Sequence, residues 1–417
     1  MATNFGVIES TDQGRSWFYA CEDPEQSADA RLYTLVQDAE RERLFSIGAQ
    51  GLAVSDDSGC RVQPTAGSRD GVIASDYFVD PTNAARALVL ASVFDFSAGV
   101  AQQSSVLLLS VDGTQTFAPA LRSVGTGDPD SLDFESVEIS RKDPLVTYLV
   151  SSSIVAGRQL ERSSDGGLTW TRTPLPAMYG SRFGIITIHP NNPDKVFLRG
   201  SNSASDFILL TTDGGKTITP VLDLTAQMAV VTAFLIRQDG TILVGVRGGT
   251  DLAFGLRSTD GGLTYQPWPI GGLHLRGLAE HQQRLYALAE FKTDPFILAR
   301  SDDDGATWDP MLTANGTRQE TTGIKGIKPC AQARCYAACL ELAGKEVLPA
   351  ANCKPPNRDA GGQGGDGEGG GGTSGCGCVV ARNRTNGGSH AQIWASLGAA
   401  LLFVRAVRTR RRRSSGE

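Results

Sequence analysis

The chain of 417 residues carries 45 acidic and 39 basic side chains, for a formal net charge of −6, and is 40% hydrophobic and 20% charged. That balance excludes a disordered polyelectrolyte, leaves enough apolar material for a large core, and argues against DNA or RNA as a partner. The 49 glycines suit many short strands joined by turns.

The first element is a single apolar strand in MATNFGVIES, which runs directly into Ser10-x-Asp12-x-Gly14-x-x-Trp17. The same pattern, Ser/Thr-x-Asp-x-Gly-x-Thr-aromatic, returns with Asp57, Asp112, Asp165, Asp213, Asp260 and Asp303 as its carboxylates. Successive copies lie 43 to 55 residues apart. A period in this range marks one supersecondary unit repeated around a ring or along a stack.

Each residue type in the box has a physical reason. A tight link between antiparallel strands needs positive φ, which Gly supplies, and a short carboxylate that accepts N–H bonds across the turn. The first hydroxyl satisfies another turn group, and the aromatic enters the next strand as an apolar anchor. Copies two, three and five depart from the pattern, with Val62 and Ile218 in the aromatic slot and Thr114 in place of Gly. Those turns are expected to be looser or differently shaped.

Between boxes the chain alternates apolar runs with turn signals: FLIRQ, Asp239-Gly240, TILVGV, then AFGLRSTD, and LRGLAE, turn, RLYALAE, then FILARSDD. This reads as strand, hairpin, strand, strand, box, final strand. The fold expected is all-β: a seven-bladed β-propeller of four-stranded antiparallel blades over residues 1–325. With one strand ahead of the first box, that blade needs completion. Either upstream strands and a leader are missing, or the C-terminal end closes the ring. Closure is the favoured reading, because TTGIKGIKPC aligns with GGLHLRGLAE one blade earlier.

Composition then changes three times. Residues 326–356 hold Cys330, Cys335, Cys339 and Cys353 in an Ala- and Leu-rich stretch expected to form a short helix with Cys335 and Cys339 on one face. Two bridges among these four are expected, with three pairings open. Cys21 and Cys60, each near the end of a box, are candidates to join adjacent blades. No paired CxxC or His pattern calls for zinc, and the even count of eight cysteines fits export. Residues 357–375 form a Gly-rich spacer with nothing to bury. Residues 376–417 begin with Cys376 and Cys378 and continue through the uncharged segment AQIWASLGAALLFV at 391–404. They end in Arg405, Arg408, Arg410, Arg411, Arg412 and Arg413. Fourteen residues are short for a full span of roughly 20, but flanking Arg side chains lengthen such a segment by snorkelling and hold its end on the cytoplasmic side.

SSDGGLTW at 163–170, STDGGLTY at 258–265 and SDDDGATW at 301–308 resemble Asp-box (BNR) repeats, found in sialidases, sortilin-type receptors, two-domain xyloglucanases and photosystem assembly factors. The resemblance covers roughly residues 1–320 and implies that each box lies on the hairpin between the two outer strands of a blade, away from the face that usually binds ligands. It reports fold better than activity. The Gly-rich spacer, CGC, apolar stretch and Arg cluster together resemble the MYXO-CTERM sorting tail of exported myxobacterial proteins. That resemblance implies export, membrane retention, processing near Cys376 or Cys378, and display at the cell surface.

No catalytic, cofactor or metal site is read from the sequence. Gly215-Lys216-Thr217 lacks the first Gly of a P-loop, since Leu210 stands there, and Gly365-x-Gly367-x-x-Gly370 lies in the spacer with no strand before it. Asp302-Asp303-Asp304-Gly305 lacks the closing Glu of a calcium loop. The sialidase resemblance implies an early Arg-Ile-Pro motif, which is absent here. Two functions stand side by side: a non-catalytic surface propeller binding a protein, glycan or envelope partner on the face opposite the boxes, and a secreted or anchored glycoside hydrolase using that same face. A monomer that uses no cofactor is expected, with the membrane contacted through the tail.

Overall fold

The computed structural model describes residues 72–95, 102–117, 121–125, 132–249, 252–290 and 293–315, with shorter pieces at 2–3, 6–10, 12, 16–20, 32–37, 42–48, 51–56, 63–65, 320–322 and 324–327, and residues 335, 336, 339, 340, 343, 353 and 354. Cys21, Asp57, Cys60, Cys330, Cys376, Cys378, the spacer, the 391–404 segment and the Arg cluster lie outside these residues. No helix among the described residues is long and apolar enough to cross a membrane.

Seven sheets follow one another along the chain, and the structure is a seven-bladed β-propeller. Blade 4 shows the plan: Leu132–Ile139, Thr147–Ser153, Gly157–Ser163 and Thr171–Pro174 pair antiparallel in sequence order. Blades 2, 3, 5 and 6 repeat it over residues 32–64, 72–125, 182–223 and 230–268. Blade 7, residues 275–315, gains a fifth strand, Glu320–Thr322, on its outer edge. The first strand of each blade is innermost, as contacts between the first strands of blades 3 and 4, 4 and 5, and 6 and 7 require.

Apolar side chains between neighbouring blades form the core. Tyr148, Val150 and Leu160 of blade 4 pack with Ile188, Val196 and Leu198 of blade 5. Phe197, Ile208 and Leu210 of blade 5 continue to Phe234, Ile242 and Val244 of blade 6. Burial of this kind contributes roughly 25 cal/mol per Å² of apolar surface and needs no direction. Direction comes from polar groups at the seams.

Two strands, Ala2–Thr3 and Gly6–Glu9, precede the first box where one was expected, and the C-terminal segment joins blade 1 without supplying its inner strand. Ile324–Ile327 pairs in parallel with Trp17–Ala20, the outer strand of the blade. The alignment with GGLHLRGLAE pointed to an inner strand, which would run antiparallel to its neighbour. A repeat period locates a strand in the chain, but the edge it joins is set by which face must be buried. Here Ile324 and Ile327 are buried with Ile8, Trp17 and Tyr19 of blade 1 and Leu298 and Leu312 of blade 7.

Candidate binding face

Because strands alternate in direction, the inner hairpin and the box hairpin of a blade share one end, and the described boxes lie on one face. Box four shows their chemistry. Ser163 Oγ donates to Asp165 Oδ1 at 2.7 Å and accepts from Gly167 N at 2.8 Å. Asp165 Oδ1 also accepts from Leu168 N and Thr169 N at 3.0 and 2.9 Å, and its Oδ2 accepts from Thr169 Oγ1. Asp260 repeats this set, and Asp303 repeats it except that Ala306 N donates to the Asp303 carbonyl. Thr hydroxyl bonds hold Asp165, Asp260 and Asp303 below the usual carboxylate range, and for Asp213 the Thr217 N–H does most of this. Asp12 accepts from Ser10 Oγ, Ser16 N and Ser16 Oγ in the same way.

Boxes three and five are not looser than the others. Asp112 and Asp213 accept the same turn N–H groups at 2.9 to 3.1 Å, and Thr114 simply adopts φ of 67° where the other boxes use glycine. The carboxylate network holds the turn, so the aromatic and the glycine are each replaceable.

The boxes also lock the seams. Arg43 donates to the carbonyls of Asp112 and Gly113 in the next blade at 3.1 and 2.9 Å. Arg86 reaches Pro144 O and Gly166 O, Arg162 pairs with Asp194 at 2.9 Å, and Arg237 pairs with Asp304 at 2.7 Å. Lys195 does the same by charge, facing Asp260. The box glycines press on the preceding blade: a Cβ on Gly262 would lie 2.5 Å from the Phe197 ring, and one on Gly305 would lie 2.6 Å from Trp268. None of this was readable from the motif alone.

Two clefts open on this face at the seam of blades 3 and 4. One of about 280 Å³ is lined by Leu121, Arg122, Leu168, Trp170 and Arg172, and the other, of about 450 Å³, includes Arg86, Leu145 and Asp165. Their cations are engaged. Arg122 pairs with buried Glu161 at 2.7 Å and stacks over Phe134 and Trp170.

The inner strands carry a second seam device. In blades 3 to 7 the pairing register of the inner strand shifts once, between Ala74 and Asp76, Phe134 and Ser136, Ile185 and Thr187, Val231 and Ala233, and Leu275 and Gly277. Such a bulge breaks the ladder locally and leaves N–H groups to be satisfied. Near the shift in blades 4, 5 and 6, a carboxylate of the preceding blade accepts an inner-strand N–H, and in blade 5 Ile185 N at the shift itself donates to Ser136 Oγ. Asp76 accepts from Val137 N, Glu138 from Ile188 N, and Asp206 from Val231 N, at 2.8 to 2.9 Å. Burial pushes Glu138 up to about 8 and Asp76 up to about 6.

The opposite face is built from the second hairpin of each blade and the connections between blades. Its described loops in blades 4 to 6 are joined by backbone bonds from Leu175 N to Arg158 O, Ser181 N to Ser201 O and Asp206 N to Ala229 O. Exposed on them are Ile154, Val155, Met178, Met228 and Leu252.

The described cysteines and two histidines have structural places. Cys339 and Cys353 form a disulfide, Cys335 is also disulfide-bonded, and all three are buried in the cluster at the seam of blades 1 and 7. Cys335 and Cys339 are helical, as expected. His189 ends an inner strand and accepts from Asn191 N, and His274 pairs with Asp294 at 3.1 Å. No cluster of metal-ligating side chains exists among the described residues.

No protein-family profile matches the sequence, and no curated protein matches it. Among solved structures it is similar to a GH74 enzyme of Niastella koreensis, with 15% identity and a TM-score of 0.46, covering 66% of this chain and 44% of that one. It is also similar to a puromycin-hydrolysing peptidase of Mycobacterium tuberculosis, with 11% identity and a TM-score of 0.49, covering 70% and 45%. YCF48 bound to D1 peptide gives 16% identity and a TM-score of 0.38 over 57% and 68%. The chain thus spans less than half the length of either enzyme. Likeness at these identities assigns neither an activity nor a ligand.

Proposed function

We propose that the chain is a non-catalytic propeller, displayed at the cell surface through its C-terminal tail, that binds a protein, glycan or envelope partner on the face opposite the boxes. The observation that carries this reading is the arc of exposed apolar side chains on the loops of blades 4 to 6. By contrast, the described box carboxylates are occupied within their own turns. The glycosidase reading needs two reachable acids. Glu138 is buried and Asp76 is half-buried on the inner strands, and both are committed to backbone N–H groups.

Binding is tested on the purified chain with glycan and envelope-protein arrays, against Ile154→Ser combined with Val155→Ser. Loss of binding at an unchanged melting temperature is expected. Turnover of fluorogenic glycosides that disappears in Glu138→Gln would overturn the reading in favour of the hydrolase. Display rests on the spacer, the Cys376-Gly-Cys378 pair, the apolar segment and the Arg cluster. Deleting residues 376–417 is expected to release the exported chain into the medium.

A further inference from the structure

One residue of the apolar arc is held in place at a cost in backbone conformation. Met228 sits at φ of 47°, a left-handed conformation that favours glycine, yet its side chain is 65% exposed. The turn enforces this. Met228 N donates to Thr225 O and Ala229 N to Leu224 O, while Leu224 and Ala229 are buried and Asp223 accepts from Thr225 N at 2.8 Å. Glycine would serve the fold there, so the methionine side chain is kept for something outside it.

The neighbouring tips share the property. Ile154 is 97% exposed and Val155 82% exposed on a hairpin capped by Ser153 Oγ, at positions where turns normally place polar residues. Met178, 77% exposed, rides on the turn Ala177–Tyr179, which Tyr179 anchors by packing on Phe207.

Charge narrows the partner. Arg247 is exposed, lies opposite Val230 on one side and Ala253 on the other, and so stands between Met228 and Leu252. It has no ion-pair partner among the described residues, whereas Arg158 is paired with Glu135 and Arg199 with Asp206. Asp223, on the strand that leads into the Met228 turn, is engaged by Thr225. Among the described residues, the arc offers aliphatic and thioether side chains beside the Arg247 cation, and none of its exposed large side chains is aromatic. Sugar rings are gripped by aromatic faces and dense hydrogen bonding, whereas methionine-bearing surfaces adapt to apolar side chains of proteins.

We infer that the partner on this face is a protein segment that combines aliphatic side chains with a carboxylate, the apolar residues covering Met178, Met228 and Ile154 and the carboxylate meeting Arg247. This rests on the binding reading above and deepens it. The test is selection of a random peptide display library on the full chain, with a glycan array and anionic vesicles run alongside. Enriched peptides are expected to carry aliphatic residues with Asp or Glu. Their affinity is expected to fall about tenfold or more in Met228→Gly and in Ile154→Ser. Met228→Gly suits the backbone, so its melting temperature is expected to hold or rise. Arg247→Gln is expected to weaken peptides with the acid and to leave their Asn or Gln versions unchanged. Glycan or vesicle binding that depends on Met228 and Ile154, without peptide enrichment, overturns the partner class and leaves the face standing. Enriched peptides indifferent to all three substitutions overturn both.

Discussion

Glu138 is a carboxyl whose environment is set by its neighbours on the next blade. In the unfolded chain it ionises near 4.5, and in the folded chain burial pushes that up to about 8. Between those values the unfolded state sheds a proton that the native state keeps. The contribution is therefore full below about pH 4.5 and is lost as pH rises toward 8, at up to about 1.4 kcal/mol per unit. Asp76 acts in the same direction, but its window closes near 6. Above pH 6 the slope from these two acids belongs to Glu138, while His189, lowered by burial, works in the opposite sense in any variant. Glu138→Gln keeps an oxygen acceptor for Ile188 N and Thr187 Oγ1 and removes the titration. Urea midpoints measured from pH 6 to 8 are expected to fall for the native chain relative to the variant, and parallel curves would sink the assignment. Nothing in the sequence singled this residue out, because a Glu in an alternating strand looks solvent-facing until the neighbouring blade is in place.

At the scale of the box, turn and seam are separable. Asp165→Asn retains an oxygen for Leu168 N and Thr169 N, whereas Asp165→Ala leaves both without it. Calorimetry is expected to show a lower melting temperature for Ala than for Asn, with binding on the opposite face unchanged in both. Loss of binding at full stability would mean that box four is a ligand site. The seam is probed by Arg237, which is buried between Glu280 and Asp304. Arg237→Ala strands the buried Glu280 charge and is expected to cost about 3 kcal/mol. Adding Glu280→Gln is expected to restore part of that, and a double variant no more stable than the single one would argue against the ion pair. Turn chemistry was legible because Ser, Asp and Gly act within a few residues of one another. The contacts of Arg43, Arg86, Arg162 and Arg237 were not, since each crosses to another blade and no local pattern marks an Arg that does so.

For the whole ring, the question is what keeps the first and last blades together. The period counts seven units correctly, yet it cannot say how the two ends meet, and the closing strand takes the outer edge in parallel because Ile324 and Ile327 must cover Trp17 and Tyr19. The Cys-rich element completes the seam: Cys335, Cys339 and Cys353 are buried with residues of blades 1 and 7, and the Cys339–Cys353 bridge spans 14 residues. A cross-link of that length typically contributes about 3 kcal/mol, chiefly by restricting the unfolded chain. Its placement adds a local effect, because the element can leave the seam only by exposing Ile8, Trp17 and Leu312 to water. Cys339→Ser with Cys353→Ser is therefore expected to lower overall stability and to speed hydrogen exchange first in Trp17–Ala20 and Ile324–Ile327, before Val196–Ser201 in blade 5. Exchange that accelerates equally in all blades would show that the bridge acts on the unfolded chain alone and that closure rests on the strand.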